Sequence, residues 1–484
     1  MAVQTDGKRR DLTTGAISPT LLLFALPTLA SNILQSLNGS INSIWVGRFL
    51  GEGALAATAN ANIIMFLLFS AVFGFGMAAT VMVGQAVGRG DMDAARLTFG
   101  SALGLCFVLS LVVATLGWIM APTILQLLAT PGSAYDFALT YLRIIFLGMP
   151  ASLMSVMIMM GLRGAGDSVT PLWFMILSVL LDSGLNPLLI RGIGPFPAMG
   201  IAGSGAATAV AGYVSLIAML VYIYRRDLPL RLRGRELAYL RPNAAQLKVI
   251  VTKGFPMGLQ MIVISTAGLI MIGLVNREGL LTSAAYGAAQ QLWTYLQLPA
   301  MAIGAAVSAM AAQNIGAGRW DRVNGVTGRG LAFNMLMTGS LIGLMLAFDR
   351  PLLALFLGSE SPAIEVARHM QFLASWSFLL FGLTLVLIGT MRANGVVFAP
   401  LVILLVAMYP MRLGFYHLAY PTIGADAIWL SFPVGSITSF ILATGYYLHG
   451  GWRKTKLLIQ PNEEECREHT NVGTEPTGRM APTG

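Results

Sequence analysis

The chain has 484 residues, of which 56% are hydrophobic and 11% are charged, and its mean hydropathy is +0.73. This composition is too apolar and too poor in charge for a soluble globular protein, so it indicates an integral membrane protein. Contact between basic loops and anionic lipid headgroups accounts for the net charge of +9, so the charge does not indicate nucleic-acid binding. The two cysteines, Cys106 and Cys466, form neither a disulfide framework nor a metal-ligand pattern.

Twelve apolar segments are long enough to cross about 30 Å of hydrocarbon. In chain order they are 19–46, 55–84, 95–121, 137–160, 170–190, 199–224, 247–275, 283–313, 325–348, 366–390, 398–420 and 425–449. Six fall in each half, and because six is even, both halves begin on the same side of the membrane. The sequence therefore predicts an all-α membrane protein with two six-helix lobes, related by a pseudo-two-fold axis along the membrane normal.

The segments divide the chain into five parts. These are a cytoplasmic N-terminal tail (1–18), an N-lobe (19–224), a cytoplasmic linker (225–246), a C-lobe (247–449) and a cytoplasmic tail (450–484) that we expect to be disordered. Most Lys and Arg residues, including Arg163 and Arg392, collect on one side of the predicted bundle. The other side holds only Arg48, Arg143, Arg191, Arg277, Arg350 and Arg368. Because basic loops remain in the cytoplasm, both termini are predicted to be cytoplasmic.

The two halves share short motifs in the same order. Gly84-Gln85-Ala86-Val87-Gly88 returns 228 residues later as Ala312-Gln313-Asn314-Ile315-Gly316. Arg163-Gly164-Ala165-Gly166 likewise matches Arg392-Ala393-Asn394-Gly395. Such an internal duplication in a membrane protein is typical of secondary transporters.

The first segment carries a polar stripe. Its members are Asn32, Gln35, Ser36, Gly39, Asn42 and Ser43. Their spacing places them on one face of a helix, which either lines a cavity or forms hydrogen bonds between helices. We favour the cavity, and we expect Asn62 and Gln290 at membrane depth to line it as well.

Asp182 is the acidic residue that lies deep within a predicted span. It is about eleven residues into the fifth segment, or roughly 17 Å along the helix. Desolvation there penalises the charged form, which suits a group that binds and releases a proton. Asn186 follows on the same face, and Pro187 removes a backbone donor, so a bend would free carbonyl oxygens nearby. The alternative is a structural acid that bonds to those freed backbone groups.

Arg412 is a cation within the apolar eleventh segment. An unpaired charge there is costly, so the side chain either contacts substrate or pairs across the bundle. Because the neighbouring Pro410 could expose backbone carbonyl oxygens for it, we favour a structural role. The sequence has no G-x-x-x-x-G-K-[ST] phosphate loop, so an ion gradient is the expected energy source.

The repeated Gly-Gln and Ala-Gln motifs, together with the Arg163-Gly164-Ala165-Gly166-Asp167 segment, closely resemble those of the multidrug and toxic compound extrusion (MATE) family. The resemblance covers about residues 15–450. It implies twelve helices in two lobes with a central cavity. It also implies export of large, often cationic, amphipathic compounds in exchange for H⁺ or Na⁺.

The chain departs from the family pattern at the site of ion coupling. Members that couple through the N-lobe resemble this chain but carry Asp in place of Asn42. In the fifth helix they look like they carry an Asn-x-x-x-Asp-Pro pattern, whereas this chain has Asp182-Ser183-Gly184-Leu185-Asn186-Pro187. The exchange keeps one carboxylate and one amide on the same face. The resemblance therefore implies a coupling site at Asp182, Asn186, Asn42 and Thr208.

These observations predict a non-enzymatic multidrug efflux antiporter, with a role in antibiotic resistance. We expect a monomer in a bacterial inner membrane that exchanges small amphipathic organic compounds for H⁺ and needs no cofactor or resident metal. The substrate cavity is predicted to contain Asn32, Gln35, Ser36, Asn62, Gln290 and Arg412. The alternatives are Na⁺ coupling at Asp182 and Asn186, a flippase for lipid-linked or oligosaccharide substrates, and a receptor or scaffold without transport.

Overall fold

The computed structural model describes residues 11–127, 132–194, 197–241 and 243–455. The first half contains α1 (Ile17–Leu50), α2 (Glu52–Gly88), α3 (Met92–Leu127), α4 (Gly132–Gly164), α5 (Val169–Arg191) and α6 (Ile201–Arg225). The second half begins with α7 (Ala244–Arg277), α8 (Leu280–Gly316) and α9 (Trp320–Ala347), followed by α10 (Asp349–Leu357), α11 (Ala363–Ala374), α12 (Ser377–Ala393), α13 (Phe398–Val406), α14 (Arg412–Ile423) and α15 (Asp426–His449).

The helices confirm an all-α membrane protein. Within the described ranges, eleven spans are long and apolar enough to cross a bilayer, and the bent pair α11–α12 makes a twelfth. The duplication extends to helix length, since α1 and α7 both have 34 residues and α2 and α8 both have 37. At about 1.5 Å per residue, these four helices project beyond the hydrocarbon.

Two spans in the C-lobe are interrupted where the sequence predicts single continuous segments. The tenth span bends by 44° between α11 and α12, where the buried Ser377 hydroxyl donates to the Ala374 carbonyl oxygen (2.6 Å). The eleventh contains a π-helical turn, Ala407–Met411, between α13 and α14. Because Pro410 in that turn has no N–H to donate, a local widening of the helix is expected there.

Parts of the segments outside the lobes pack against the helices. Leu12, in the predicted N-terminal tail, is fully buried, and its carbonyl oxygen accepts a hydrogen bond from Asn314 Nδ2 (3.1 Å). A 3-10 turn in the linker, Gly234–Leu240, packs against α3. Most of the C-terminal tail, from residue 456 onward, lies outside the described residues, so its expected disorder stays a prediction.

Candidate functional site

Asp182 lies at the meeting point of three helices of the N-lobe. Its side chain is only 2% exposed. Asn38 Nδ2 on α1 donates to Oδ2 (2.9 Å), while Asn186 Nδ2 on α5 and Thr208 Oγ1 on α6 both donate to Oδ1 (3.0 Å each). The carboxylate is thus held by neutral side-chain donors, one from each helix.

The fifth helix supplies the carboxylate and one of its donors. Asn186 follows Asp182 by four residues and therefore lies on the same face, and its Nδ2 also donates to the backbone carbonyl oxygen of Asp182 (3.1 Å). The amide oxygens of Asn38 and Asn186 are buried and have no hydrogen-bond partner. Across the described residues, no group of three His, Cys, Asp or Glu side chains is close enough to hold a metal ion. The cluster offers oxygen atoms and a single carboxylate.

A small cavity of about 170 Å³ lies beside this cluster. Asn38, Asp182 and Thr208 are among its lining residues. Gln35, Phe69, Val156, Met159 and Met175 line both this cavity and a larger one of about 320 Å³ between the lobes. Asp182 is therefore held by side chains beside a space that adjoins the central cavity, rather than bonded to freed backbone groups.

The polar stripe of α1 serves more than one purpose. Asn32 and Gln35 line the 320 Å³ cavity, and their contact with substrate stays a prediction. Ser36 lines none of the described cavities, and its carbonyl oxygen accepts a bond from Ser40 within the helix (3.2 Å). Asn42 was expected to join Asp182, but its Oδ1 accepts from Ser204 (2.8 Å) and its Nδ2 faces the Tyr141 hydroxyl (3.5 Å).

Asn38 is the contact that the sequence analysis missed. It lies three residues after Gln35 and four before Asn42, so it belongs to the same helical face. The helical periodicity that identified the stripe was sufficient to include it. Its Nδ2 replaces that of Asn42 as the donor from α1 to the carboxylate.

The largest described cavity, about 490 Å³, lies on the C-lobe side. Asn62, Gln290 and Arg412 all line it, whereas Asn32 and Gln35 line the 320 Å³ cavity instead. Its remaining surface is rich in aromatic side chains, namely Phe66, Tyr286, Trp293, Phe378, Phe381 and Phe432. A further cavity of about 280 Å³ shares Phe66, Ile264 and Gln297 with it. The space between the lobes is thus mostly apolar, with a few polar groups, as in many ligand-binding sites.

Arg163 and Arg392, which the sequence places among the basic residues of one side, also line cavities. Arg163 lines the 320 Å³ cavity and Arg392 lines the 280 Å³ cavity. Both occupy the last turn of a helix, α4 and α12 respectively. Arg392 Nη2 donates to Gln260 Oε1 (3.1 Å). The cavities therefore contain basic side chains in addition to Arg412, the cation within the apolar eleventh segment.

The lobes meet at one end of the bundle, where α2, α4, α8 and α12 finish, and we call this the basic end. Gln85 Nε2 on α2 donates to the Ala393 carbonyl oxygen in the opposite lobe (2.7 Å). Gln313 Nε2 on α8 makes the equivalent bond to the Gly164 carbonyl oxygen (2.9 Å). Because the last carbonyl groups of a helix have no partner within it, each glutamine caps a helix of the other lobe.

Glycines allow this close approach. A Cβ on Gly88 would lie 2.0 Å from the Gln313 carbonyl oxygen, and a Cβ on Gly316 would lie 2.0 Å from that of Gln85. Deeper in the bundle, a Cβ on Gly74 would lie 2.3 Å from the Gly254 carbonyl oxygen. Small residues let helix backbones approach in membranes. The repeated motifs of the sequence therefore build the contact that closes the basic end.

Comparison with known proteins identifies the family. A family model described as MatE matches residues 27–188 and 256–416, which correspond to the two halves of the chain. "Probable multidrug resistance protein YoeA" of Bacillus subtilis (strain 168) is 34% identical over 445 residues, covering 91% of this chain and 96% of the relative. "Probable multidrug resistance protein YpnP" of the same organism is 30% identical over 454 residues, covering 94% and 100%.

Solved structures agree on the fold. A structure described as the outward-facing conformation of a multidrug resistance MATE family transporter of the MOP superfamily superposes with a TM-score of 0.85. It is 18% identical in sequence and covers 93% of this chain and 100% of that one. The two halves matched by the family model, the two related sequences and the shared fold lead to one conclusion: this multi-pass membrane protein belongs to the multidrug and toxic compound extrusion (MATE) family of transporters.

Proposed function

We propose that this transporter exports small amphipathic organic compounds in exchange for H⁺, and that Asp182 is the proton site. The observation that carries the proposal is a buried carboxylate held by neutral donors from α1, α5 and α6 beside a cavity. A carboxylate without a cationic partner can be neutralised by a proton at moderate cost, since no ion pair has to be broken.

Protonation changes the hydrogen bonds that join the three helices. Ionised Asp182 accepts from Asn38, Asn186 and Thr208. When a proton binds Oδ2, that oxygen becomes a donor, and Asn38 must turn its amide so that its unpartnered Oδ1 accepts. This rotation of the Asn38 side-chain amide changes how α1 packs on α5 and α6. The cavities that adjoin these helices then change shape, and substrate leaves the space between the lobes.

A rocking motion of the two lobes connects this event to transport. We assign the basic end and both termini to the cytoplasmic side. With the basic end closed, the cavities would open to the outside, so the structure corresponds to an outward-facing state. A proton can favour one state only by its differential affinity for the two, typically about 1–3 kcal/mol. We place the protein in a bacterial inner membrane as a monomer.

Na⁺ is the second candidate ion, because one carboxylate, amide oxygens and a hydroxyl are hard ligands that suit such a cation. The two unpartnered amide oxygens of Asn38 and Asn186 favour it. Both ions would use the same residues. The choice between them therefore depends on the gradient that drives transport.

The test is efflux from proteoliposomes under an H⁺ gradient or a Na⁺ gradient imposed separately. We expect the H⁺ gradient alone to drive export of an amphipathic dye, and Asp182→Asn to abolish it while leaving insertion intact. Asp136→Asn is the matched control, because Asp136 is an exposed acid of the same lobe. Efflux driven only by Na⁺ would reassign the ion, full activity of Asp182→Asn would refute the proton site, and no efflux under either gradient would indicate a flippase or a scaffold.

A further inference from the structure

Arg412 is buried in the C-lobe without a counter-charge. The residue is 7% exposed and begins α14, directly after the π-helical turn. Its Cζ lies 3.6 Å from the centroid of the Phe432 ring, and its Nη1 lies 3.8 Å from Met408 Sδ. Nε and Nη2 are buried and have no hydrogen-bond partner. The guanidinium is therefore held in place while two of its nitrogen atoms remain unpaired.

The neighbouring residues do not supply the missing acceptor. No Asp or Glu lines the 490 Å³ cavity that Arg412 faces, and no described acidic residue forms an ion pair with it. The carbonyl oxygens near Pro410, which a structural role would require, accept no hydrogen bond from its nitrogen atoms. A buried charge without a partner is costly, so a protein that retains one commonly uses it to bind a ligand.

The surroundings define the ligand that would fit. A guanidinium presents a planar fork of N–H groups that matches a carboxylate or a phosphate group. The Phe432 ring, whose centroid is 3.6 Å from Cζ, limits the orientations that this fork can adopt. Tyr286, Trp293 and Phe378 supply aromatic surface around it, while Asn62 and Gln290 add neutral polar groups. A cavity of about 490 Å³ is within the usual size range for drug-sized molecules.

We propose that Arg412 binds a carboxylate or phosphate group of an aromatic, amphipathic substrate in the C-lobe cavity. The cavity would then select anionic or zwitterionic compounds over compounds that carry only positive charge. This inference rests on the proposed export function. It deepens that function by naming a substrate class and the residue that recognises it, and it separates substrate recognition in the C-lobe from ion coupling at Asp182.

Two dyes with the same ring system provide the test. Rhodamine 110 carries a free carboxyl group, and rhodamine 123 is its methyl ester. In neutral phosphatidylcholine vesicles, wild-type protein should bind and export rhodamine 110 with at least tenfold higher affinity than rhodamine 123. Arg412→Gln should weaken the binding of rhodamine 110 by roughly 10- to 100-fold, which is the effect of losing a charged hydrogen bond. The binding of rhodamine 123 should stay the same or become tighter. Arg412→Lys should give an intermediate loss, because it keeps the charge without the fork.

The outcomes separate the two proposals. If wild-type protein exports neither dye under any gradient, the export function fails. If it exports both dyes with equal affinity, or if Arg412→Gln weakens the binding of both dyes equally, the export function holds but the proposed role of Arg412 is refuted. Direct binding of the two dyes to wild-type protein gives the same answer even when the variants do not fold. Adding phosphatidylglycerol identifies the source of the anionic group, since competition with rhodamine 110 would indicate a lipid headgroup and its absence a soluble substrate.

Discussion

Replacing Gln85 and Gln313 together should open the basic end of the bundle. Each glutamine donates to a terminal carbonyl oxygen of the opposite lobe, at 2.7 Å and 2.9 Å respectively. When the end opens, water takes over these bonds, so each contributes a net of about 0.5–1.5 kcal/mol to the closed state. Changing both to Leu should therefore remove about 1–3 kcal/mol and shift the balance between closed and open states by roughly 5- to 150-fold.

The shift can be measured as a distance between spin labels. Arg89, just after α2, and Asp321, in the first turn of α9, are exposed and belong to opposite lobes. After Cys106→Ser and Cys466→Ser remove the native thiols, cysteines at these two positions carry the labels. Double electron–electron resonance should then show a longer distance whose population grows in the double variant.

A matched control uses another glutamine of α8. Among the residues that the structure describes, Gln297 donates only to the Trp293 carbonyl oxygen in its own helix (3.5 Å), so Gln297→Leu should leave the distance distribution unchanged. Each single variant should produce roughly half of the free-energy change, since both bonds act on the same equilibrium. An unchanged distribution in the folded double variant would show that backbone packing alone closes this end, and the reasoning about the glutamines would be wrong.

Three further changes test other parts of the structure. Asn38→Ala removes the donor from α1 to the buried carboxylate and should reduce ion-driven efflux at least tenfold, whereas Ser43→Ala, whose hydroxyl bonds within its own helix, should not. Gly316→Ala places a Cβ 2.0 Å from the backbone of α2, and thermal unfolding should show a loss of stability of about 1–3 kcal/mol. Gly343→Ala is the control, because a Cβ on Gly343 meets no atom within 4 Å. Gln371→Leu leaves a buried indole N–H without its acceptor at 2.8 Å and should cost about 1–3 kcal/mol by the same measurement; an unchanged unfolding temperature would contradict it.

The bilayer makes much of this fold predictable. A span must be apolar over about 20 residues, so hydropathy alone located the twelve crossings, and the shared motifs identified two equivalent halves. The broken tenth span and the π-helical turn at Ala407–Met411 were not predictable in this way. An interruption in a helix depends on the side chains packed around it, and those come from distant parts of the chain.

The candidate site was predictable where its residues share one helix. Asp182 and Asn186 lie one turn apart, and helical spacing alone places them together. Their role in coupling stays a prediction until transport is measured. Helical spacing also places Asn38 on the polar face of α1. Whether Asn38 or Asn42 bonds to Asp182 depends on the relative height of α1 and α5, which the spacing within one helix does not specify.

The amino-acid sequence by itself determined the class of protein, the duplication, the number of membrane spans and the presence of an acid deep within a predicted span, because each of these follows from local composition and periodicity. The tertiary structure decided which partners meet. It placed Arg163 and Arg392 against the cavities, left Arg412 without a counter-charge, and joined Gln85 and Gln313 to the opposite lobes. These contacts join residues far apart in the chain, so they depend on how whole helices pack, which no local pattern encodes.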